Sequence, residues 1–166
     1  MRYLSRTVVR AAVVAALLAS TVAVSGQGRP RAVVTPAVEV DGVPAGTATR
    51  LAIHVALPEG LHVQSDRPRD PSLIPTVLSL DPPAGVTVSS LVYPVPSDFT
   101  LEGQAEPLAV FDHEFAAGAR ILVAPSVPAG ELVIPGQLRY QACDDRVCFA
   151  PATAAIEWTV RVIGAN

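Results

Sequence analysis

Apolar side chains recur at every second position over several stretches of the chain. Leu51, Ile53, Val55 and Leu57 alternate with Ala52, His54 and Ala56. Ile156, Trp158, Val160 and Val162 alternate with Glu157, Thr159 and Arg161. Leu138, Tyr140 and Ala142 alternate with Arg139 and Gln141. In an extended chain successive side chains point to opposite faces, so each stretch predicts a half-buried antiparallel strand. The pattern predicts strands over 36–41, 48–57, 61–65, 75–80, 86–93, 107–112, 119–124, 131–142 and 153–162. Turn chemistry separates them at Asp41-Gly42, Pro58-Glu59-Gly60, Asp81-Pro82-Pro83-Ala84-Gly85 and Pro128-Ala129-Gly130. Trp158 falls on the core side of its strand.

Sixteen Pro and eleven Gly break the chain too often for long helices. Short strands at this spacing predict an all-β fold, an immunoglobulin-like antiparallel β-sandwich. The stretch from Pro94 to Pro107 carries little pattern and reads as a long loop, the kind of segment that often carries function. No internal repeat or second domain is visible.

The N-terminus departs from this pattern. Arg2, Arg6 and Arg10 precede an apolar run from Ala11 to about Val24, and small or polar residues follow. A basic start, a short apolar middle and a small-residue exit predict a secretory signal peptide over 1–25, leaving 26–166 as the mature domain. The run is shorter than the roughly 20 apolar residues of a membrane span. An uncleaved N-terminal anchor is the alternative. No Cys follows the run, so nothing there invites lipid modification. No later segment is apolar enough to insert the mature chain in a membrane.

Charge narrows the partners. All twelve basic residues are Arg, and nine of them remain beyond the signal against fifteen acidic residues, a net charge of about −6. Such a surface offers no footprint for nucleic acid and no polybasic patch for anionic lipid. No spacing of Ser, His and Asp suggests a hydrolase triad, and no Gly-rich phosphate loop is present. Neither a cofactor nor a metal is expected.

Candidate chemistry gathers at the two cysteines. They lie in Tyr140-Gln141-Ala142-Cys143-Asp144-Asp145-Arg146-Val147-Cys148-Phe149-Ala150-Pro151, where one strand enters a polar turn and another leaves after Pro151. Four residues separate the thiols, so they face each other across a hairpin end. Export would place them where disulfides form and persist. Three readings stand side by side. A structural staple would close only about six residues, worth about 2 kcal/mol of chain entropy against more than ~4 for a loop of many tens. A redox pair would sit at an edge turn open to another protein. A zinc site would need more ligands than two Cys, and only His54, His62 and His113 are available. Asp144 and Asp145 disfavour a nearby thiolate and Arg146 favours one, so the resting thiol is not strongly activated. Exchange would then occur within a docked complex.

The run Tyr140-Gln141-Ala142-Cys143 through Cys148 to Pro151 resembles the cysteine signature of the N-terminal periplasmic domain of the thiol:disulfide interchange protein DsbD. Gly60-Leu61-His62-Val63-Gln64-Ser65, Leu73-Ile74-Pro75-Thr76 and Val92-Tyr93-Pro94 resemble further landmarks of that family, in order, over most of 36–163. The resemblance implies an immunoglobulin-like domain whose Cys pair relays electrons to periplasmic thioredoxin-fold proteins, among them disulfide isomerases and cytochrome c maturation factors. It implies a mobile cap loop with an aromatic shield, which by position is the segment around Ser97-Asp98-Phe99, with Phe99 as the shield. Asp98 and Glu102 flank that shield and read mainly as solvated. His62 and Gln64 fall where the family places neighbours of the pair. Tyr140 is expected in the core beneath the site with its hydroxyl bonded, and Phe149 either lines the docking surface or packs.

The family's full protein continues into membrane and thioredoxin-like domains, whereas this sequence stops at Asn166. A separate membrane electron-transport protein is therefore expected as donor, the alternative being a repurposed module. The expected function is periplasmic dithiol exchange. The order of attack is not written in the sequence; the working assignment takes Cys148 as the partner-linked sulfur and Cys143 as the resolving one. The rival is a secreted, non-enzymatic immunoglobulin-like binding module with a structural turn disulfide.

Overall fold

The structure, a computed structural model, describes residues 29–103 and 105–164. The signal peptide expected over 1–25 lies outside the described residues. Among the described residues twelve strands form: β1 (Val33–Val38), β2 (Val43–Pro44), β3 (Ala48–Ala56), β4 (His62–Gln64), β5 (Val77–Leu80), β6 (Val86–Val92), β7 (Ser97–Phe99), β8 (Leu108–Phe111), β9 (Glu114–Val123), β10 (Gly130–Tyr140), β11 (Ala142–Cys143) and β12 (Ala152–Ile163). No helix among them is long and apolar enough to cross a membrane.

The alternating stretches became the central ladders. β3 shows strict alternation of exposed and buried residues, and β12 repeats it over its second half. The differences from the sequence pattern are local: β1 runs over Val33–Val38 where 36–41 is expected, Val43–Pro44 adds a short strand, and three more follow. β9 begins at Glu114, five residues before the expected start, because Ala116-Ala117-Gly118 offer almost no hydropathy contrast. The segment 94–107 is not all loop, since Ser97–Phe99 pairs with β8. The run expected over 131–142 is divided at Gln141, where the chain leaves one sheet for another.

The strands form three four-stranded sheets, ordered β1-β3-β9-β6, β2-β12-β10-β5 and β11-β4-β8-β7. Pairing is antiparallel except between β12 and the two-residue β2. The first two sheets face each other as the sandwich. Leu51, Ile53, Val55 and Ile121 from one meet Ile134, Leu138, Trp158 and Val160 from the other, all at most 1% exposed. Each such aliphatic side chain contributes about 1.5–3 kcal/mol by leaving water. The Trp158 indole N–H donates to the Ala52 carbonyl across the interface at 2.8 Å. Its ring lies over Gly136, where an added Cβ would come within 2.7 Å of the ring, so that position has no room for a side chain.

The third sheet is built from extensions of the sandwich strands. β3 turns through Pro58–Gly60 into β4, with Gly60 in the left-handed region at φ 79°. β8 leads into β9, and β10 leads through Gln141 into β11. The end of β3 pairs with the start of β9, and the end of β10 with the start of β12. All three passages therefore leave the sandwich at one end, and the third sheet caps that end. It carries both cysteines' surroundings.

Candidate functional site

The cysteine hairpin follows from its turn chemistry. Beyond Gln141 the chain joins β4, pairing Ala142 with Val63 and Cys143 with His62. Asp144 then reverses it. Its backbone N–H donates to the Val147 carbonyl at 3.0 Å, and its carboxylate accepts from the Arg146 and Val147 N–H groups at 2.8 and 2.7 Å. An Asp that bonds the backbone two and three residues on is a local turn former. The returning strand places Cys148 opposite Cys143 as an isolated antiparallel bridge. Phe149 N–H donates to the Ala142 carbonyl and the Gln141 side-chain amide to the Phe149 carbonyl, both at 2.9 Å.

The two sulfurs are bonded, with Cα atoms 4.0 Å apart. That is closer than the common range for disulfides, as expected of directly opposed bridge residues. Their exposure differs sharply. Cys143 is 1% exposed, while Cys148 lies on the surface. The disulfide therefore joins a buried residue to an exposed one.

Both cysteines line an open cleft of about 770 Å³. One wall is the hairpin Asp144–Val147, the floor includes His62 and Gln64, and the far side carries Arg69, Leu101 and Leu108. His62 is 5% exposed. Burial holds its pKa below the usual histidine value, against the opposing pull of Asp112 and Asp144. The imidazole is neutral at physiological pH. Asp144 is held below the usual carboxylate range by the two backbone N–H bonds first, with smaller help from Arg146 and His62. It therefore stays ionised beside the pair and disfavours a thiolate there.

Gln64 is 1% exposed, and neither its Oε1 nor its Nε2 has a hydrogen-bond partner among the described residues. Its backbone is satisfied, the carbonyl accepting from Thr76 Oγ1 at 2.6 Å.

An aromatic contact joins this floor to the neighbouring strand. The Phe99 ring rests on His62, with centroids 4.2 Å apart and planes 37° from parallel. Phe99 belongs to β7, the edge strand of the third sheet. Arg69 ties the covering segment down at two points, pairing with the Asp98 carboxylate and donating to the Pro107 carbonyl at 2.6 Å. Ser97 Oγ bonds the Asp112 carboxylate at 2.8 Å.

The structure thus brings together Cys143, Cys148, His62, Gln64, Asp144 and Asp145 around one cleft. Asp98 and Phe99 lie beside it, joined through Arg69 and His62. Two of the expected residues pack outside the lining of this cleft. Tyr140 is buried in the core with its hydroxyl bonded, accepting from Ala32 N–H at 2.7 Å, and it lines a separate small cleft with Arg29 and Arg31. The strand switch at Gln141 separates its direction from that of Cys143. Phe149 packs against the sandwich core and does not line the cleft, so only its backbone supports the hairpin. Glu102 is exposed and off the cleft. Arg69 and Asp112 are the neighbours that sequence reasoning missed. An Arg among Pro and Asp in 67–71 carries no local signal for a partner 29 residues away. Among the described residues no cluster of three or more His, Cys, Asp or Glu gathers to hold a metal.

Comparison with known proteins bears on this cleft. No curated protein matches the chain. Solved structures align with low similarity. The major pilin subunit of Bacillus cereus gives a TM-score of 0.42 at 13% identity, over 81% of this chain and 40% of that one. A structure concerning aggregative adherence fimbriae of enteroaggregative Escherichia coli gives 0.35 at 12% identity, over 81% and 99%. A family 123 glycoside hydrolase from Clostridium perfringens gives 0.31 at 8% identity, over 82% and 27%. The family model described as "Thiol:disulfide interchange protein DsbD, N-terminal" matches residues 32–159, a span that holds the whole cleft and both sulfurs. The chain belongs to the family of the N-terminal domain of the thiol:disulfide interchange protein DsbD.

Proposed function

We propose that this protein is a periplasmic thiol–disulfide exchange module that passes electrons through Cys143 and Cys148 to thioredoxin-fold proteins. The observation that carries the reading is the asymmetric disulfide, one cysteine exposed and one buried, closing a short turn in the lining of an open cleft. A bridge across so few residues contributes little to stability, about 2 kcal/mol. Membership of the DsbD N-terminal family supports the same reading.

The cycle follows from the geometry. In the dithiol form Cys148, the accessible sulfur, loses its proton and attacks one sulfur of a partner disulfide. The partner S–S bond breaks, a mixed disulfide forms, and the partner's other sulfur leaves as a thiolate that takes up a proton. Cys143, buried against His62, then loses its proton and attacks Cys148. The intramolecular disulfide re-forms, and the second partner sulfur is released and protonated. Two electrons have passed to the partner. A dithiol donor, proposed to belong to a membrane electron-transport system, runs the same steps in reverse.

Asp144 suppresses the resting thiolate, so exchange is reserved for docked complexes. Phe99 serves as the cover that must move for docking, because its ring lies on His62, the direct cross-strand neighbour of Cys143.

Trapping tests the reading. A Cys143→Ser variant should accumulate a mixed disulfide through Cys148 with a thioredoxin-fold protein, and Cys148→Ser should trap far less. The disulfide should show a reduction potential in the thioredoxin-to-isomerase range. A potential below about −300 mV together with an empty trap would establish a non-enzymatic module with a stable turn disulfide instead.

A further inference from the structure

Gln64 carries a polar requirement that the fold does not meet. Its side-chain oxygen and nitrogen are buried without a partner among the described residues, on the floor of the cleft that holds the disulfide. Buried amides are almost always paired, so an unpaired one needs a reason. The neighbouring floor explains why the fold supplies none. In the ladder Gln64 lies beside Val110, and Val110 beside Ser97 of the covering strand, so the row it shares is apolar next to it and covered beyond. The charged residues that line the cleft, Arg69, Asp70, Glu106, Asp144, Asp145 and Arg146, leave both atoms of the amide unpaired.

The chemistry of the amide restricts what completes it. Oε1 requires a donor and Nε2 an acceptor. Of what a docking protein presents, an anion satisfies only the nitrogen and a cation only the oxygen, while a hydroxyl or side-chain amide satisfies both but varies with the partner's sequence. A peptide group offers a donor and an acceptor on one rigid unit. We infer that Gln64 is a recognition residue for the main chain of the docked partner, binding a peptide group of the segment that flanks the partner's reacting cysteine. This rests on the exchange reading and adds to it the group on the partner that is recognised.

The same placement predicts a specific behaviour. A small dithiol reaches Cys148 without needing the floor. A protein partner lays backbone into the cleft and engages Gln64. Gln64 should therefore affect exchange with proteins and leave exchange with small thiols unchanged, which a purely structural role would not do.

The experiment compares Gln64→Met, an apolar replacement of similar length, with the parent protein. Two rates are measured: reduction by dithiothreitol, and exchange with purified thioredoxin. The expected result is an unchanged dithiothreitol rate with protein exchange slowed about five- to tenfold, the loss of one or two net hydrogen bonds. Equal slowing in both, or no slowing in either, overturns the inference. Should Gln64→Met fail to fold, the Gln64 side-chain NH₂ resonances are followed in Cys143→Ser, free and disulfide-linked to thioredoxin. Shifted and exchange-protected resonances in the linked form support the inference; identical spectra overturn it. A parent protein that reacts with dithiothreitol but with no thioredoxin-fold protein defeats the exchange reading itself, a result distinct from any of these.

Discussion

His62 faces Cys143 directly across the β4–β11 ladder and carries the Phe99 ring on its outer side. One buried residue thus touches both the concealed sulfur's strand and the covering strand. If Phe99 acts as the proposed cover, this contact links it to the disulfide, and several expectations follow.

The aromatic contact between Phe99 and His62 should be the main hold on the cover. Such pairs contribute roughly 0.5–1.5 kcal/mol beyond area burial. Phe99→Ala is expected to raise the rate of disulfide reduction by dithiothreitol about two- to tenfold and to lower stability by about 1–2 kcal/mol. Stopped-flow reduction and urea unfolding measure the two effects. An unchanged reduction rate would show that the ring does not limit access.

The Arg69–Asp98 pair should matter less. Both side chains are about half exposed, at 44% and 63%. Water and salt screen such a pair, and its worth is about 0–1 kcal/mol. Asp98→Asn should leave the melting temperature within about 2 °C. It should raise the dithiothreitol rate by less than Phe99→Ala does, with the difference from parent shrinking in high salt. A large effect that persists at 1 M salt would contradict this ranking.

Stability should fall in mild acid. The folded protein holds the His62 pKa below its unfolded value of 6.5 because burial disfavours the imidazolium. The unfolded chain therefore binds more protons between those two values. The stability is fully present above about pH 6.5 and is lost as pH falls toward the lowered folded pKa. Asp144, also depressed, contributes above its unfolded value of 3.8 and loses that contribution only as pH falls through its own lower folded pKa. His62→Phe should flatten the first slope and leave the second. Unfolding free energy measured from pH 8 to 3 in both proteins tests this. An unchanged slope between pH 6.5 and 5 in His62→Phe would remove His62 as the cause.

Reducing the disulfide should leave the fold intact. Opening so short a loop costs about 2 kcal/mol. Leu138→Ala, by contrast, empties a fully buried position between the sheets and should cost about 2–5 kcal/mol. Circular dichroism melts of the reduced parent and the oxidised variant compare the two directly. Collapse of the sandwich on reduction would identify the disulfide as a staple.

How much of this was legible depended on the range of the interaction. β3 and β12 were readable because alternation along one strand reports the face it buries. The start of β9 is not legible because Ala116, Ala117 and Gly118 hide their facing. β7 carries no local signal, since its three residues are ordered only by the β8 ladder. At the site, the cysteine spacing and the polar residues between them mark a tight reversal, and the family landmarks include His62 and Gln64. Arg69 and Asp112 gave no such signal, since their partners are distant in sequence.

The amino-acid sequence by itself determined the β-sandwich class, the turns and the paired cysteines, because periodicity, Pro and Gly stereochemistry and a short loop act between near neighbours. Only the tertiary structure decided which sulfur is exposed, that His62 opposes Cys143, that Phe99 lies over it, and that Tyr140 faces away. Those outcomes depend on ladder register and on a strand changing sheets at Gln141. Register is set by the joint burial of residues far apart in the chain, which no local pattern encodes.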